Sequence, residues 1–520
     1  MTIMELLKLN SQKYPCETSL IELEPALNSR REITWLEFES MTNRFANFLL
    51  SRNIRKGDKV ALLMMNCLEW LPIYFGILKT GAVVVPLNFR FTAEEIAKCL
   101  ETVQTKVLVY GPEFLERMSK IQSTLESLQS IIFVGGCCPD KTEDYFKLLE
   151  EFPADCPNIN IIEQDEAGLY FTSGTTGVPK PIMLTHANLY SACITENVHH
   201  KQNHEDNFLC IPPLYHTGAK MHWFGSLLVG SRATLLRGVK PEWILKAVSE
   251  EKSTIVWLLV PWAQDILDAI ESGKVDLNDY RLEQWRLMHI GAQPVPPSLI
   301  IQWKKFFPNQ LYDTNYGLSE STGPGCVHLG IENIYKVGAI GIPGFGWEVK
   351  IVDDSGVPLQ YGEKGEVIVK GPGVMKGYYN NPEATGKALR DGWLYTGDIG
   401  YRDQDGFIYL VDRKKDVIIS GGENIYPVEV ENFLQAHEDV KDVAVIGIPD
   451  KRLGEISLAI VELKAGRNIT EENLLQFCNA LPRYKRPKKV IFDKVPRNPT
   501  GKIEKPKLRE KWRNYGLATI

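Results

Sequence analysis

Several features are scarce or missing in this 520-residue chain, and each absence narrows what it can do. The ten cysteines contain no C-x-x-C pair, which argues against a zinc site or a disulfide framework and fits a reducing compartment. The longest apolar stretch, around Ile255 to Ala263, is far too short to span a bilayer, so no transmembrane segment is expected. Met1 to Tyr14 carries Lys8 and Lys13 in a mixed pattern and lacks the apolar core and cleavage site of a signal peptide. A cytoplasmic location is the expectation. Neither sign of charge dominates: 59 basic and 65 acidic residues leave −6, which does not suggest nucleic-acid binding. No G-x-G-x-x-G opens a helix near the N-terminus, which argues against a dinucleotide-dependent oxidoreductase. No internal repeat or low-complexity segment is present.

What is present is a globular composition, 44% hydrophobic and 24% charged, in a chain long enough for two or more domains. Thr34 followed by Glu37 reads as a capping box, and Phe38, Met41, Phe45 and Phe48 then recur at helical spacing. Apolar runs at Val60 to Met64, Val83 to Val85, Lys106 to Tyr110 and Ile131 to Val134 read as strands separated by helical patterns. Such alternation predicts an α/β fold with largely parallel sheets. After about Asn333 glycine becomes frequent, and short alternating runs such as Val349 to Val352 and Glu366 to Val369 predict a small β-rich subdomain. The last hundred residues read as a separate α+β unit, with strands at Val443 to Ile448 and Leu458 to Leu463 and helices at Glu429 to Gln435 and Glu471 to Leu481. A charged connector, Asp412 to Asp416, marks a domain boundary. Basic residues crowd the C-terminal end, from Lys485 to Arg513, as a solvated face or one that meets polyanionic small molecules.

The most informative stretch is Thr172 to Lys180, T-S-G-T-T-G-V-P-K, after the strand-like Gly168 to Phe171. Glycines let backbone N–H groups converge on one anion, hydroxyls add donors, and the lysine adds positive charge. It cradles phosphate by chemistry but is not a Walker A loop, because G-K-[ST] is missing at the required spacing.

Together with this loop, Pro213 to Gly218 (P-L-Y-H-T-G), Tyr316 to Glu320 (Y-G-L-S-E), Tyr395 to Asp398 (Y-T-G-D), Asp412 to Asp416 (D-R-K-K-D) and Pro496 to Lys502 (P-R-N-P-T-G-K) resemble, in order, the motifs of the acyl-adenylate-forming enzymes. The match lies with the acyl-CoA synthetase branch of that superfamily. The resemblance implies an adenylation domain over 1–411, a hinge at 412–416 containing Lys415, and a mobile C-terminal domain over 417–520. It implies a carboxylate–CoA ligase that uses ATP, Mg²⁺ and coenzyme A and passes through acyl-AMP. Nucleotide contacts are expected from Thr172, Ser173, Gly174, Thr175, Thr176, Gly177, Lys180, Gly291, Ala292, Gln293, Tyr316, Gly317, Ser319, Asp398, Arg413, Asn424 and Lys502. Thr172 and Glu320 would hold the metal; Asp398 and Arg413 would reach the ribose.

By the same resemblance Lys502 would stabilise charge on the α-phosphate during adenylation, and His216 would gate or line the acyl site. Trp223, Phe224, Trp257, Val260 and Trp262 are candidates for its wall or for ordinary core packing. Ser420, Gly421 and Gly422 resemble the loop beside the thiol acceptor. Three positions depart from the family pattern: Pro181, Ser319 and Gln293. The apolar candidates favour a hydrophobic acid; which one, and the oligomeric state, stay open. The alternatives are an adenylating enzyme with a carrier-protein or other acceptor and a non-catalytic nucleotide-binding relative. Intact Glu320, Asp398 and Lys502 argue against the second.

Overall fold

The computed structural model describes residues 1–122, 125, 128–172, 180–292, 295–323, 325–498, 502–513 and 515, apart from the side chains of residues 221 and 222. Among them two large, mostly parallel sheets dominate the N-terminal part. The first runs, in spatial order, Leu311–Asp313, Leu287–Gly291, Ile255–Leu259, Asn207–Cys210, Arg232–Leu236, Thr18–Glu24 and Ser29–Thr34, with only the last pair antiparallel. The second orders Gly377–Tyr378, Lys180–Thr185, Glu166–Thr172, Val83–Pro86, Lys59–Leu63, Val107–Tyr110, Ser130–Phe133 and Glu143–Asp144. In it only Lys180–Thr185 runs against the others, pairing antiparallel with both Glu166–Thr172 and Gly377–Tyr378.

Side-chain alternation explains how the sheets stack. Ile255, Trp257 and Leu259 point into one core, and Val256 and Leu258 into another. Val60 and Leu62 share the first of these cores, whereas Ala61 and Leu63 face a third. Because successive strand residues point to opposite faces, each sheet is covered on both sides. The shared core holds helices Trp35–Ser51, Trp70–Lys79 and Thr217–Val229 between the sheets, and every residue of Trp70–Lys79 is buried. The expected capping box forms: the Thr34 hydroxyl accepts from Glu37 N, and the Glu37 carboxylate accepts from Thr34 N.

An antiparallel sheet follows, built from Glu348–Val352, Gly365–Lys370, Trp393–Arg402, Leu389–Arg390 and Ile408–Arg413. The C-terminal sheet joins Glu423–Ile425, Ile418–Ser420, Gly454–Leu463 and Val440–Asp450, with Lys489–Phe492 parallel to Gly454–Leu463. Helices Pro427–Gln435 and Glu471–Phe477 pack on its core. The fold is thus mixed α/β, a large N-terminal part with a β-rich portion and a small α+β C-terminal part.

One expectation shifts and one open choice is decided. Asp412 and Arg413 belong to the strand Ile408–Arg413 rather than to a free connector, and Asp412 is buried. Trp223 and Phe224 pack fully buried against Phe75, and Trp223 also meets Phe38; both belong to the core between the sheets. Among the described residues no helix is long and apolar enough to cross a membrane.

Candidate functional site

Parallel strands gather binding segments at their C-terminal ends, where side chains and loop N–H groups are not consumed by the sheet. Four segments meet this rule here. Glu166–Thr172 ends at Thr172, whose hydroxyl donates to Lys180 O (3.3 Å) and closes the hairpin into Lys180–Thr185. Residues 173–179 lie outside the described residues, so the expected positions Ser173, Gly174, Thr175, Thr176 and Gly177 do too. Leu287–Gly291 ends at Gly291, followed by Ala292 at φ 70°, a left-handed backbone that strains a non-glycine residue. Gln293 is outside the described residues. Leu311–Asp313 leads into Asn315–Tyr316 and the turn Ser319–Ser321. Asn207–Cys210 leads to the helix Thr217–Val229, capped by His216, whose Nδ1 accepts from Gly218 N (3.3 Å).

Tyr316, Asp398 and Arg413 form one group. The buried Tyr316 hydroxyl donates to Asp398 Oδ2 (2.6 Å), and Arg413 Nε donates to Asp398 Oδ1 (3.1 Å). Burial, then the Asp398 charge, push the Tyr316 phenol well above its usual value, so it stays a donor. Asp398 and Arg413 face each other across paired strands.

Glu320, Tyr378 and Lys180 form a second. The Tyr378 hydroxyl donates to Glu320 Oε1 (3.0 Å), while Lys180 Nζ lies 5.9 Å from the Tyr378 ring centre. Ser319 is reached by the Thr217 hydroxyl at 3.3 Å, which ties this turn to the helix that His216 caps. Gly317 leaves no room for a side chain, since a Cβ there would fall 2.7 Å from Gly325 Cα.

Lys502, on the C-terminal part, feels the charges of both groups. Its backbone N–H donates to Asn498 Oδ1 (2.9 Å), and Asn498 N donates to Lys502 O (2.9 Å). Arg497 anchors this hairpin through two 2.7 Å bonds to Asp442. Burial, then the Arg413 charge, hold the Lys502 ammonium below its usual value, while Asp398 and Glu320 pull the other way. Lys415 also bears on Lys502, and is itself lowered by burial and Arg413. Around it the connector is fastened: Asp412 accepts from Val428 N (2.9 Å), and Asp416 pairs with Arg509 (2.7 Å).

The Ser420–Asn424 segment stands apart. Gly421 and Gly422 turn the hairpin with φ of 58° and 87°, values that favour glycine, and Gly421, Gly422 and Asn424 are exposed. No hydrogen bond or ion pair among the described residues joins them to Glu320, Asp398 or Lys502.

Sequence reasoning missed Tyr378 and Lys220. The only trace of Tyr378 is the aromatic pair following Lys376-Gly377. Lys220 is fully buried with its Nζ 4.2 Å from the Tyr170 ring centre, 5.6 Å from Tyr74 and 5.9 Å from Trp70. Burial drives its amine well below the usual value. The Nζ also donates a long 3.5 Å hydrogen bond to His216 O, but one such bond and the ring faces do not replace the water of an ammonium. Lys220→Met is therefore expected to leave the melting temperature unchanged or raise it; a fall of several degrees would show that the amine is required for folding.

The sequence profile of a family described as AMP-binding enzyme matches residues 7–379, and that of the AMP-binding enzyme C-terminal domain matches residues 429–502. A feruloyl-CoA synthase of Amycolatopsis sp is 36% identical over 485 residues, 92% of this chain and 94% of that one. The long-chain-fatty-acid–CoA ligase FadD13 of Mycobacterium tuberculosis is 33% identical over 94% of this chain and 95% of its own. The solved structure of the anthranilate CoA ligase AuaEII in complex with anthranoyl-AMP superposes with a TM-score of 0.91 at 26% identity, covering 99% of this chain and 98% of that one.

Proposed function

The chain belongs to the AMP-binding enzyme family, in its acyl-CoA synthetase branch, and from that premise we propose that it activates a hydrophobic carboxylic acid, fatty, aromatic or alicyclic, for transfer to coenzyme A. The observation that carries the reading is Asp398 held between the Tyr316 hydroxyl (2.6 Å) and Arg413 Nε (3.1 Å), with Lys502 on the C-terminal part feeling the charges of Asp398, Arg413 and Glu320. A lone lysine in a basic tail has no reason to be drawn into that group.

Each residue has a task that its chemistry supports. Asp398, held by Tyr316 and Arg413, offers carboxylate oxygens to ribose hydroxyls. The acid's carboxylate attacks the α-phosphate, the bond to pyrophosphate breaks, and acyl-AMP forms. Two anions meet in that step, and the Lys502 ammonium lowers the repulsion between them. Thr172, at the end of Glu166–Thr172, and Glu320, held by the Tyr378 hydroxyl, are hard oxygen donors, a donor set that fits Mg²⁺. Bound there, the ion would neutralise phosphate charge. A thiolate then attacks the acyl carbon and AMP leaves. For this second step we assign Lys415 as the hinge that turns residues 417–520 against 1–411 and brings Ser420, Gly421 and Gly422 to the acyl group. Their exposed, separate position here supports two arrangements of one site. His216, Gly218 and Trp257 border the acyl side; a Cβ on Gly218 would meet Trp257 at 3.1 Å, so glycine keeps space beside that ring. The names of the relatives, feruloyl and long-chain fatty acyl, support a hydrophobic acid. All ten cysteines carry free thiols, which supports a reducing, cytoplasmic setting.

A pH dependence follows. Lys502 acts as the ammonium, and its pKa in the free enzyme lies below the usual 10.5. The value of kcat/KM for ATP should therefore fall on the alkaline side earlier than an ordinary lysine would dictate. Lys502→Arg should flatten that limb, because guanidinium keeps its proton. An unchanged alkaline limb in the arginine variant would remove Lys502 as its source.

The substrate class is tested by incubating the enzyme with ATP, Mg²⁺, CoA and a panel of acids and detecting acyl-CoA by mass spectrometry. Aromatic, alicyclic or fatty thioesters are expected. Formation only from short polar acids would overturn the hydrophobic assignment, and AMP release without a CoA thioester would overturn CoA as acceptor.

A further inference from the structure

Beneath the site lies a group of side chains that the reaction does not use. Glu196, His200, His289, Asp313 and His328 are all fully buried. They come from the helix His186–His200, the adjacent strands Leu287–Gly291 and Leu311–Asp313, and the strand Val327–His328. His200 Nε2 stands 3.1 Å from His289 Nδ1 and 3.1 Å from Asp313 Oδ2, and the last two atoms are 3.5 Å apart. On its other side, His200 Nδ1 meets Glu196 Oε1 at 2.7 Å. His328 Nδ1 lies 3.5 Å from the same Asp313 oxygen, and Asp313 Oδ1 accepts from Gly330 N (2.8 Å).

A closed triangle of two nitrogens and an oxygen is awkward for hydrogen bonds alone. An N–H donates along one direction, with angles above about 150° preferred, so the His200 Nε2–H cannot serve both neighbours well. The same triangle is one face of a metal tetrahedron. With bonds of about 2.0–2.2 Å to nitrogen and oxygen, neighbouring ligand atoms in zinc sites stand about 3.3–3.5 Å apart. The Glu196 carboxylate at the far nitrogen of His200 is the outer partner that orients a metal-bound imidazole.

We propose that His200 Nε2, His289 Nδ1 and Asp313 Oδ2 bind a structural divalent transition-metal ion of the zinc class. Charge agrees, since Glu196, Asp313 and a divalent ion balance with every imidazole neutral. A proton is the rival occupant: burial alone would lower the His200 pKa, but Glu196 and Asp313 outweigh it and lift it to about 10. The cysteine spacing that argues against a zinc site is silent on imidazoles brought together by topology. His289 precedes Gly291 by two positions and Asp313 precedes Tyr316 by three, so the ion would tie together the two strands that deliver those segments. It is distinct from the Mg²⁺ assigned to Thr172 and Glu320 and takes no part in the reaction.

The test uses the full-length protein produced with zinc in the medium and passed through gel filtration. Mass spectrometric metal analysis should find about one zinc per chain, and His289→Gln and Asp313→Asn should abolish it. Glu196→Gln should weaken affinity about 10- to 100-fold while keeping the stoichiometry. Cobalt substitution of the unaltered protein gives a readout that no variant's folding affects: visible d–d bands of an ion bound by nitrogen and oxygen. Zinc near zero, with neither a melting shift on added zinc nor cobalt bands, overturns the proposal and leaves a proton-held network. Zinc that His289→Gln and Asp313→Asn both retain, in variants shown to be folded, overturns it equally.

Discussion

Lys502→Ala is expected to slow formation of acyl-AMP by roughly two to three orders of magnitude, the effect of removing one positioned charge stabiliser. Transfer from supplied acyl-AMP to CoA should fall far less. The asymmetry follows from where Lys502 sits. In this arrangement it feels the charges of Asp398, Arg413 and Glu320, on a segment fixed to the C-terminal sheet through Arg497 and Asp442. Once acyl-AMP exists, the repulsion between carboxylate and phosphate has been overcome and the ammonium has less to do. Single-turnover measurement of the two half-reactions separates the cases. Equal losses in both would contradict the assignment and point to a folding defect or to a lysine that serves both steps.

Asp398→Asn is expected to act mainly on nucleotide binding. The carboxylate accepts from Tyr316 and Arg413 through different oxygens. The amide keeps the size, loses the charge, and offers an N–H where an oxygen accepted. A charge-assisted hydrogen bond carries about 1.5–3 kcal/mol, so kcat/KM for ATP should drop roughly ten- to a hundredfold, with KM taking the larger share. Tyr316→Phe removes one of the two bonds and keeps the charge, so its effect on KM should be smaller and in the same direction. If Asp398→Asn lowered kcat with KM for ATP unchanged, the ribose role would be lost and a place in the chemical step would take over.

Much of this architecture was legible because its signals are local. Thr34 and Glu37 are three residues apart, and their mutual bonds need only a helix start. The Val60 to Met64 run reads as a strand because it is continuous and apolar, and Lys59–Leu63 is buried on both faces. The turn at Gly421-Gly422 is written in residues that tolerate positive φ. Signals that depend on packing were illegible. Trp223 and Phe224 look like pocket wall or core in the sequence alone, and only the sheets on either side of their helix decide for core. The Tyr378 bond to Glu320 spans 58 residues and exists because Gly377–Tyr378 adds a strand to the second sheet. His200 and Asp313 are 113 residues apart, and no spacing rule joins them; the sheet order does. The connector at Asp412 to Asp416 looks solvated because it is charged, yet Asp412 is buried against Val428 N, with burial lifting its pKa to about 6.

The central claim is that an acid is joined to AMP before any thiol takes part. It is tested most directly by exchange of labelled pyrophosphate into ATP, measured with Mg²⁺ and the acids that form thioesters, with CoA left out. Exchange that requires the acid and disappears in Lys502→Ala is the predicted result. Acid-dependent release of ADP with no exchange would mean an acyl phosphate rather than an acyl adenylate, and would contradict the account at its base.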